Sequence, residues 1–463
     1  MAKVPNPRRS WKAGGPPQSG AHNGPSTGPR PSAFIIGDDL EYRVARLHLF
    51  MGYFVRRGCP IYTVAALDRA TDLDVLATRY IEPFDRQLVI AECKSGDNAP
   101  LDRIFWLSGV KQYTSANDAL LVRKTTKWNI KDFAKECGVG VIDLHRLSEI
   151  ETSLGIASDD WPGISDRDFF AKELSRWNTS LRDSARFWEL TLTLTSEVRW
   201  EEPFAGANYL LSQLRLLTRA FPEPPKESFH RFLFADAVAQ LSLFMLRIAE
   251  QCFDLGERDR HGLIKKGLTY GNLDPKYAER ILESAYNLSR QSVLHYTNQS
   301  VDLDRQVFSM PEPPGTEQLT DFLDLLLRAY PASLTFPQVC DHILLERFTK
   351  QKESRRILRR MFPHASLAAT IGLAQRFVSA LVLIGACPAY IEEAFSRTEP
   401  EHQPGEVRPG PSAEAPAAGK EPRAGGEIPS NAATQRDMAP PQTPKQLELG
   451  GPDPPTPKPH QKP

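Results

Sequence analysis

The sequence predicts an α/β domain, a mixed sheet flanked by helices, followed by an all-α domain, with disordered tails at both ends. Three observations carry this. Residues 34–150 alternate strand-like and helix-like apolar patterns, residues from about 160 to 396 keep helical periodicity, and both ends are rich in Pro and Gly with few large apolar residues. The expected bounds are a basic arm over 1–33, the α/β domain over 34–150, a linker over 151–160, the helical domain over 161–396 and a Pro-rich tail over 397–463.

In the arm, Lys3, Arg8, Arg9, Lys12 and Arg30 are charged without any acid, a composition that cannot build a core. A helix is expected from Asp38, where acids favour the amino terminus and Leu40, Val44, Leu47, Met51 and Val55 repeat at three- and four-residue steps as far as Gly58. Strands follow near 61–66, 71–80 and 87–94, with Glu82-Pro-Phe-Asp-Arg86 as turn residues between the last two. Leu101 to Tyr113 reads as a helix, Ala119-Leu-Leu-Val122 as a strand, Ile130 to Cys137 as a helix and Val139 to Asp143 as a last strand. Beyond 160, helical stretches cover roughly 166–195, 203–221, 228–254, 316–330 and 366–386. Another begins at Asp274-Pro275, an N-cap followed by proline, with Ile281, Leu282, Ala285, Tyr286 and Leu288 at helical spacing.

At 463 residues, 41% apolar and 25% charged, the chain is long enough for two or three ordinary globular domains. Lys plus Arg and Asp plus Glu balance at 57 each, so any attraction to nucleic acid must come from local patches. The cysteines (Cys59, Cys93, Cys137, Cys252, Cys340, Cys387) have no zinc-binding spacing and fit a reduced, cytoplasmic setting. The apolar run Val378 to Ala386 is too short to span a membrane, and the amino terminus lacks the apolar segment of a secretory signal, so no membrane association is expected.

The chemistry concentrates in Leu88-Val-Ile-Ala-Glu-Cys-Lys94 and the preceding Thr71-Asp-Leu-Asp-Val-Leu-Ala77. Side chains alternate along a strand, so Glu92 and Lys94 share one face while Cys93 takes the other, and Asp72 and Asp74 share a face of their own strand. If the two strands form a hairpin, these charges meet at one surface. Charges on a half-buried strand need a partner, and a divalent ion is a good one for two carboxylates. Metal-assisted phosphodiester hydrolysis needs such acids together with a cation to offset developing charge. The bland alternative is a salt-bridged sheet surface.

This arrangement resembles the PD-(D/E)xK nuclease superfamily, and within it the Mrr-like restriction endonuclease branch. The resemblance covers about residues 38–145: Glu41 on the first helix, Gly52-Tyr-Phe-Val-Arg-Arg-Gly58 leading into the first strand, Asp74 before Val-Leu-Ala, Glu92-Cys-Lys94, and Gln112 in Val110-Lys-Gln-Tyr113. It implies a restriction-endonuclease-like fold for 34–150 and a magnesium- or manganese-dependent endonuclease cutting DNA, in defence against foreign or modified DNA. RNA or branched DNA would leave the same site in place. Asp74 and Glu92 would be metal ligands, Lys94 catalytic, Glu41 an assistant to the metal site and Gln112 a support of the pocket; independently of the resemblance, the Ala91 or the Cys93 backbone carbonyl could also ligate, since magnesium accepts carbonyl oxygen. Asp72 is the rival ligand to Asp74. Glu41 can equally serve the helix dipole, and Gln112 an exposed polar face. The Cys93 side chain reads as core and His48 as packed or surface. A departure from the family is the near-balanced charge, relieved by Arg56 and Arg57, by Arg123, Lys124, Lys127 and Lys131, and by Arg355, Arg356, Arg359 and Arg360 in the helical half. That half is expected to serve oligomerisation, target sensing or partner docking. The competing expectation is a catalytically inactive nuclease-fold binding module with the helical part as effector.

Overall fold

The computed structural model describes residues 39–62, 69–95, 100–183, 202–271, 273–299, 302–352, 355–363 and 367–396; the expected arm and tail lie outside the described residues. The order is α1 (Asp39–Phe50), β1 (Phe54–Tyr62), β2 (Arg69–Ile81), β3 (Asp85–Lys94), α2 (Pro100–Thr114), β4 (Asp118–Arg123), α3 (Trp128–Glu136), β5 (Gly140–Asp143) and α4 (Leu144–Ser153). Helices follow: α5 (Arg167–Asp183), α6 (Pro203–Ala220), α7 (Ser228–Cys252), α8 (Glu257–Tyr270), α9 (Pro275–Thr297), α10 (Thr316–Arg328), α11 (Phe336–Ile343), α12 (Arg355–Met361), α13 (Leu367–Leu383) and α14 (Glu393–Ser396). A mixed sheet flanked by helices, then helices alone, is the expected class.

The sheet runs in sequence order from β1 to β5. The first two pairings are antiparallel and the last two parallel. The carboxyl ends of β3, β4 and β5 therefore lie at one edge, opposite the β2–β3 turn.

The first helix is shorter than its apolar stripe predicts. It ends at Phe50, Gly52 takes a left-handed φ of +78°, and Val55 sits in β1 rather than on the helix. Tyr53-Phe-Val55 favours an extended chain, and an apolar residue four steps beyond Met51 fits either period. The first strand is described over Phe54–Tyr62 and begins seven residues before the expected 61–66, of which 63–66 lie outside the described residues. α4, unread in the sequence, is capped by the Asp143 carboxylate, which accepts from the Arg146 backbone N–H.

Val55, Val75, Ala77, Val89 and Ala91 join α1 and the helical half in one continuous apolar core. Leu76, Leu88, Ile90 and Leu121 pack with Ile104 and Leu107 of α2 and Ala134 of α3 in a second. Residues 151–160, expected as a linker, are tied in. Glu151 takes Arg43 at 2.6 Å and Arg46 at 2.8 Å, and Asp160 pairs with Arg360. That pairing also turns one member of the arginine stripe inward. Arg56, on β1, is buried and fixed to the helical half by Asp236 on α7 and Asp341 on α11, each at 2.8 Å. α7 is the one described helix long and apolar enough to cross a membrane, yet 89% of its apolar window is buried inside the protein.

Candidate active site

β2 and β3 pair from Ile81↔Asp85 to Val75↔Ala91, and there the ladder stops although both strands continue. Gly58 of β1, next to Arg57↔Val75, adopts a left-handed φ of +58° at the same level. Beyond that point, among the described residues, β3 has no ladder partner on its β2 side. The Asp74 carboxylate fills the place, its Oδ2 accepting from the Cys93 backbone N–H at 2.6 Å. In an extended residue the N–H and C=O point to the same side, so the Cys93 carbonyl also faces the gap between the parting strands.

Lys94 reaches into this gap. Its Nζ lies 2.9 Å from Glu92 Oε1 and 3.8 Å from Asp74 Oδ2. Asp74, Glu92 and Lys94, singled out in the sequence, thus converge. Glu92 is 3% exposed, whereas the Lys94 side chain is 38% exposed, so one carboxylate lies at the bottom and the ammonium at the mouth. Burial, with Glu92 repelling, pushes the Asp74 carboxyl up to about 6, although the Cys93 N–H and Lys94 oppose the shift. Burial works against the Lys94 ammonium, but its hydrogen bond to Glu92 and the charge of Asp74 outweigh that and raise it. Lys94 is therefore protonated at neutral pH: it can donate hydrogen bonds and offset negative charge, not accept a proton.

The remaining predicted residues divide. Glu41 on α1 pairs with Arg57 at 3.2 Å, and the Arg57 guanidinium lies 3.3 Å over the Tyr42 ring. It stands close enough that its charge, with those of Asp74 and Glu92, adds to the burial that raises the Cys93 thiol well above normal. Glu41 thus flanks the gap while anchoring α1 to β1. The Cys93 side chain belongs to the core, as its strand parity requires. Asp72 is half-buried and pairs in register with Pro60, one step outside the point of convergence on the Asp74 face. Gln112 is not brought to the site. It is exposed and lies nine residues, about 13 Å along α2, beyond Arg103. His48 is buried, its Nδ1 2.8 Å from the Val44 carbonyl, and desolvation holds it neutral.

Sequence reasoning missed Arg103. It stands in the first turn of α2 with its guanidinium 3.5 Å from Glu92 Oε1 and its side chain 47% exposed. No local motif marks it; only the packing of α2 over β3 brings it there. A second cluster, Glu257, His261 and Asp324, groups three metal-capable side chains on α8 and α10. Arg260 already holds the Asp324 carboxylate at 2.7 Å, and with His261 keeps it below the usual carboxylate range against the effect of burial. That cluster reads as an ion-paired helix contact.

The two acids at the parting strands suit a divalent cation. They are oxygen donors, one buried, and burial together with the Glu92 charge raises the Asp74 carboxyl, while the Cys93 carbonyl faces the same gap. No family model matches the chain, and neither a curated protein nor a solved structure is found similar to it.

Proposed function

We propose that the chain is a metal-dependent endonuclease, hydrolysing phosphodiester bonds in DNA at the gap between β2 and β3. The single observation that carries this reading is the meeting of Asp74, Glu92 and Lys94 at the point where the two strands part. The α1–β1–β2–β3–α2–β4 order of the sheet domain supports it, because the resemblance to PD-(D/E)xK enzymes rests on that same succession. Defence against foreign DNA is the role that the resemblance suggests.

Asp74, Glu92 and the Cys93 carbonyl would hold magnesium or manganese, which when bound supplies a Lewis acid for the phosphate and lowers the pKa of water. Lys94 offers a fixed positive charge at the mouth, where charge grows on the phosphoryl oxygens during attack. Glu92 orients that ammonium. Arg103, half-exposed beside the same carboxylate, supplies a second cation for a substrate phosphate, and Glu41 steadies the flank through Arg57.

Purified protein should nick or cut plasmid DNA when magnesium or manganese is added. Glu92→Ala and Lys94→Ala should each lower the rate by about 10²-fold or more, the scale of losing one electrostatic group in a water-excluded site. Circular dichroism should be unchanged. Cutting at the wild-type rate by both variants would refute the site.

The second reading, a nuclease fold acting as a binding module, has one observation in its favour. Lys94 and Arg103 together already balance the two carboxylates. Calorimetric titration with magnesium and duplex DNA separates the readings: metal or DNA binding without cleavage favours the module.

A further inference from the structure

Five residues after β4, at the carboxyl-terminal edge where the acidic site lies, the chain presents an exposed tryptophan beside cations. In the parallel register Lys94 stands beside Arg123, the last residue of β4. The strands are about 4.8 Å apart, so the turn Lys124-Thr-Thr-Lys127 and Trp128 begins next to the mouth of the site. α2 and α3 both start at this edge and pack together through Phe105 and Phe133, which keeps Arg103 and the turn on one side of the sheet.

Trp128 is 78% exposed, while Trp177 is fully buried in the core. An indole left in water gives up apolar burial that folding would otherwise use. Its surroundings identify what it suits. Lys124, Thr125, Lys127 and Asn129 are all exposed, so the ring's own segment is polar, while Leu101 and Phe105 of α2 add exposed apolar surface on the same side of the sheet. Of the basic residues nearby, Arg123 is buried and Lys131 is held by Asp143 at 2.6 Å, which leaves Lys124 and Lys127 directed to solvent. A flat exposed ring next in the chain to Lys127 and four residues from Lys124 matches a stacked base with its adjoining phosphates. Bases in a duplex have both faces occupied, so such a ring is of use only to an unpaired one.

We infer that the β4–α3 turn receives an unpaired stretch of nucleic-acid strand as it leaves the site, with Trp128 stacking on a base and Lys124 and Lys127 holding the adjoining phosphates. This rests on the nuclease reading for its biological sense but not for its physics. It narrows the substrate class to nucleic acid with single-stranded character near the point of cleavage: ends, flaps, bubbles or extruded bases.

The test uses the full chain in EDTA, where no metal-dependent cleavage can occur, with fluorescein-labelled oligothymidylate and a duplex of equal length as probes in fluorescence anisotropy. Trp128→Ala should weaken oligothymidylate binding roughly 5- to 100-fold, the range for losing one stacked base, and leave the duplex unchanged. Trp128→Phe should restore most of the loss. Lys124→Ala and Lys127→Ala should each reduce the slope of log affinity against log salt by about 0.7. Unchanged oligothymidylate binding in Trp128→Ala overturns the proposal, as does equal weakening of both probes or no binding of oligothymidylate by the wild type. The two ideas fail separately. A chain that cuts duplex DNA in magnesium but ignores Trp128→Ala keeps the nuclease site and loses the platform. One that binds oligothymidylate through Trp128 and cuts nothing keeps the platform and loses the chemistry.

Discussion

At Asp74 two demands oppose each other: the folded chain needs a carboxylate oxygen to satisfy the Cys93 N–H, yet it places that oxygen in a buried spot beside Glu92. The second demand dominates, and the acid is pushed up to about 6 from an ordinary value near 4. A raised acid stabilises the fold only while it holds its proton. The contribution is complete below about pH 4 and is lost as pH rises through about 6. Asp74→Asn should therefore stabilise the metal-free protein at pH 8 by about 1–3 kcal/mol, and by about half as much at pH 5. Urea denaturation at the two pH values measures this. An equal difference at both would show that the carboxylate is not strained. On the proposed reading of these acids as magnesium ligands, the same shift governs loading. Because a cation must displace the proton, magnesium affinity in calorimetry should fall by up to about tenfold per unit as pH drops below 6 and level off above it.

At the level of elements, the site is a gap made by two strands that stop pairing, and α2 closes one side of it with Arg103. The Arg103 guanidinium is half-exposed at 3.5 Å from its partner, a geometry worth less than about 1 kcal/mol to stability. Arg103→Ala should leave the melting curve nearly unchanged, raise KM for DNA and alter kcat little. A collapse of kcat at unchanged KM would place Arg103 in the chemical step instead. The acids and lysine of this gap were legible in the sequence because strand alternation is rigid: once Glu92 and Lys94 are on a strand, their common face follows. Arg103 was not, since its position depends on how a helix crosses the sheet. Gln112 shows the converse. A motif placed it near the pocket, but α2 carries it more than two turns past Arg103 onto an exposed face. The α1–β1 boundary blurred because Val55 fits helical and strand periods alike. On α9 the periodicity gave the helix correctly while its apolar positions Ile281 and Leu288 stayed exposed, because period reports secondary structure and burial depends on what packs alongside.

In the molecule as a whole, the composition change near residue 150 suggests a boundary that the packing does not respect. One apolar core takes the inner face of β1–β3 together with Phe232, Phe244 and Leu344 from the helical region. Arg56 crosses the same seam. Two carboxylates raise its guanidinium further against a strong opposing effect of burial, so it stays charged with no access to water. Such a pair adds little over an apolar contact but is costly to break from one side, since two carboxyl groups would be left buried without their cation. Arg56→Leu should cost about 3–5 kcal/mol, and Arg56→Lys should recover little of it because an ammonium cannot span Asp341 with two parallel N–H groups. The same seam predicts what truncation does. A chain ending at residue 160 would expose Val55, Val75, Ala77, Val89 and the Arg56 guanidinium at once, so it should lack the dispersed amide resonances of a folded sheet and should aggregate. If that fragment instead gives a dispersed spectrum and a cooperative melt, the sheet domain carries its own fold. The helical half would then be an attached partner rather than part of the scaffold that holds the gap between β2 and β3 in place.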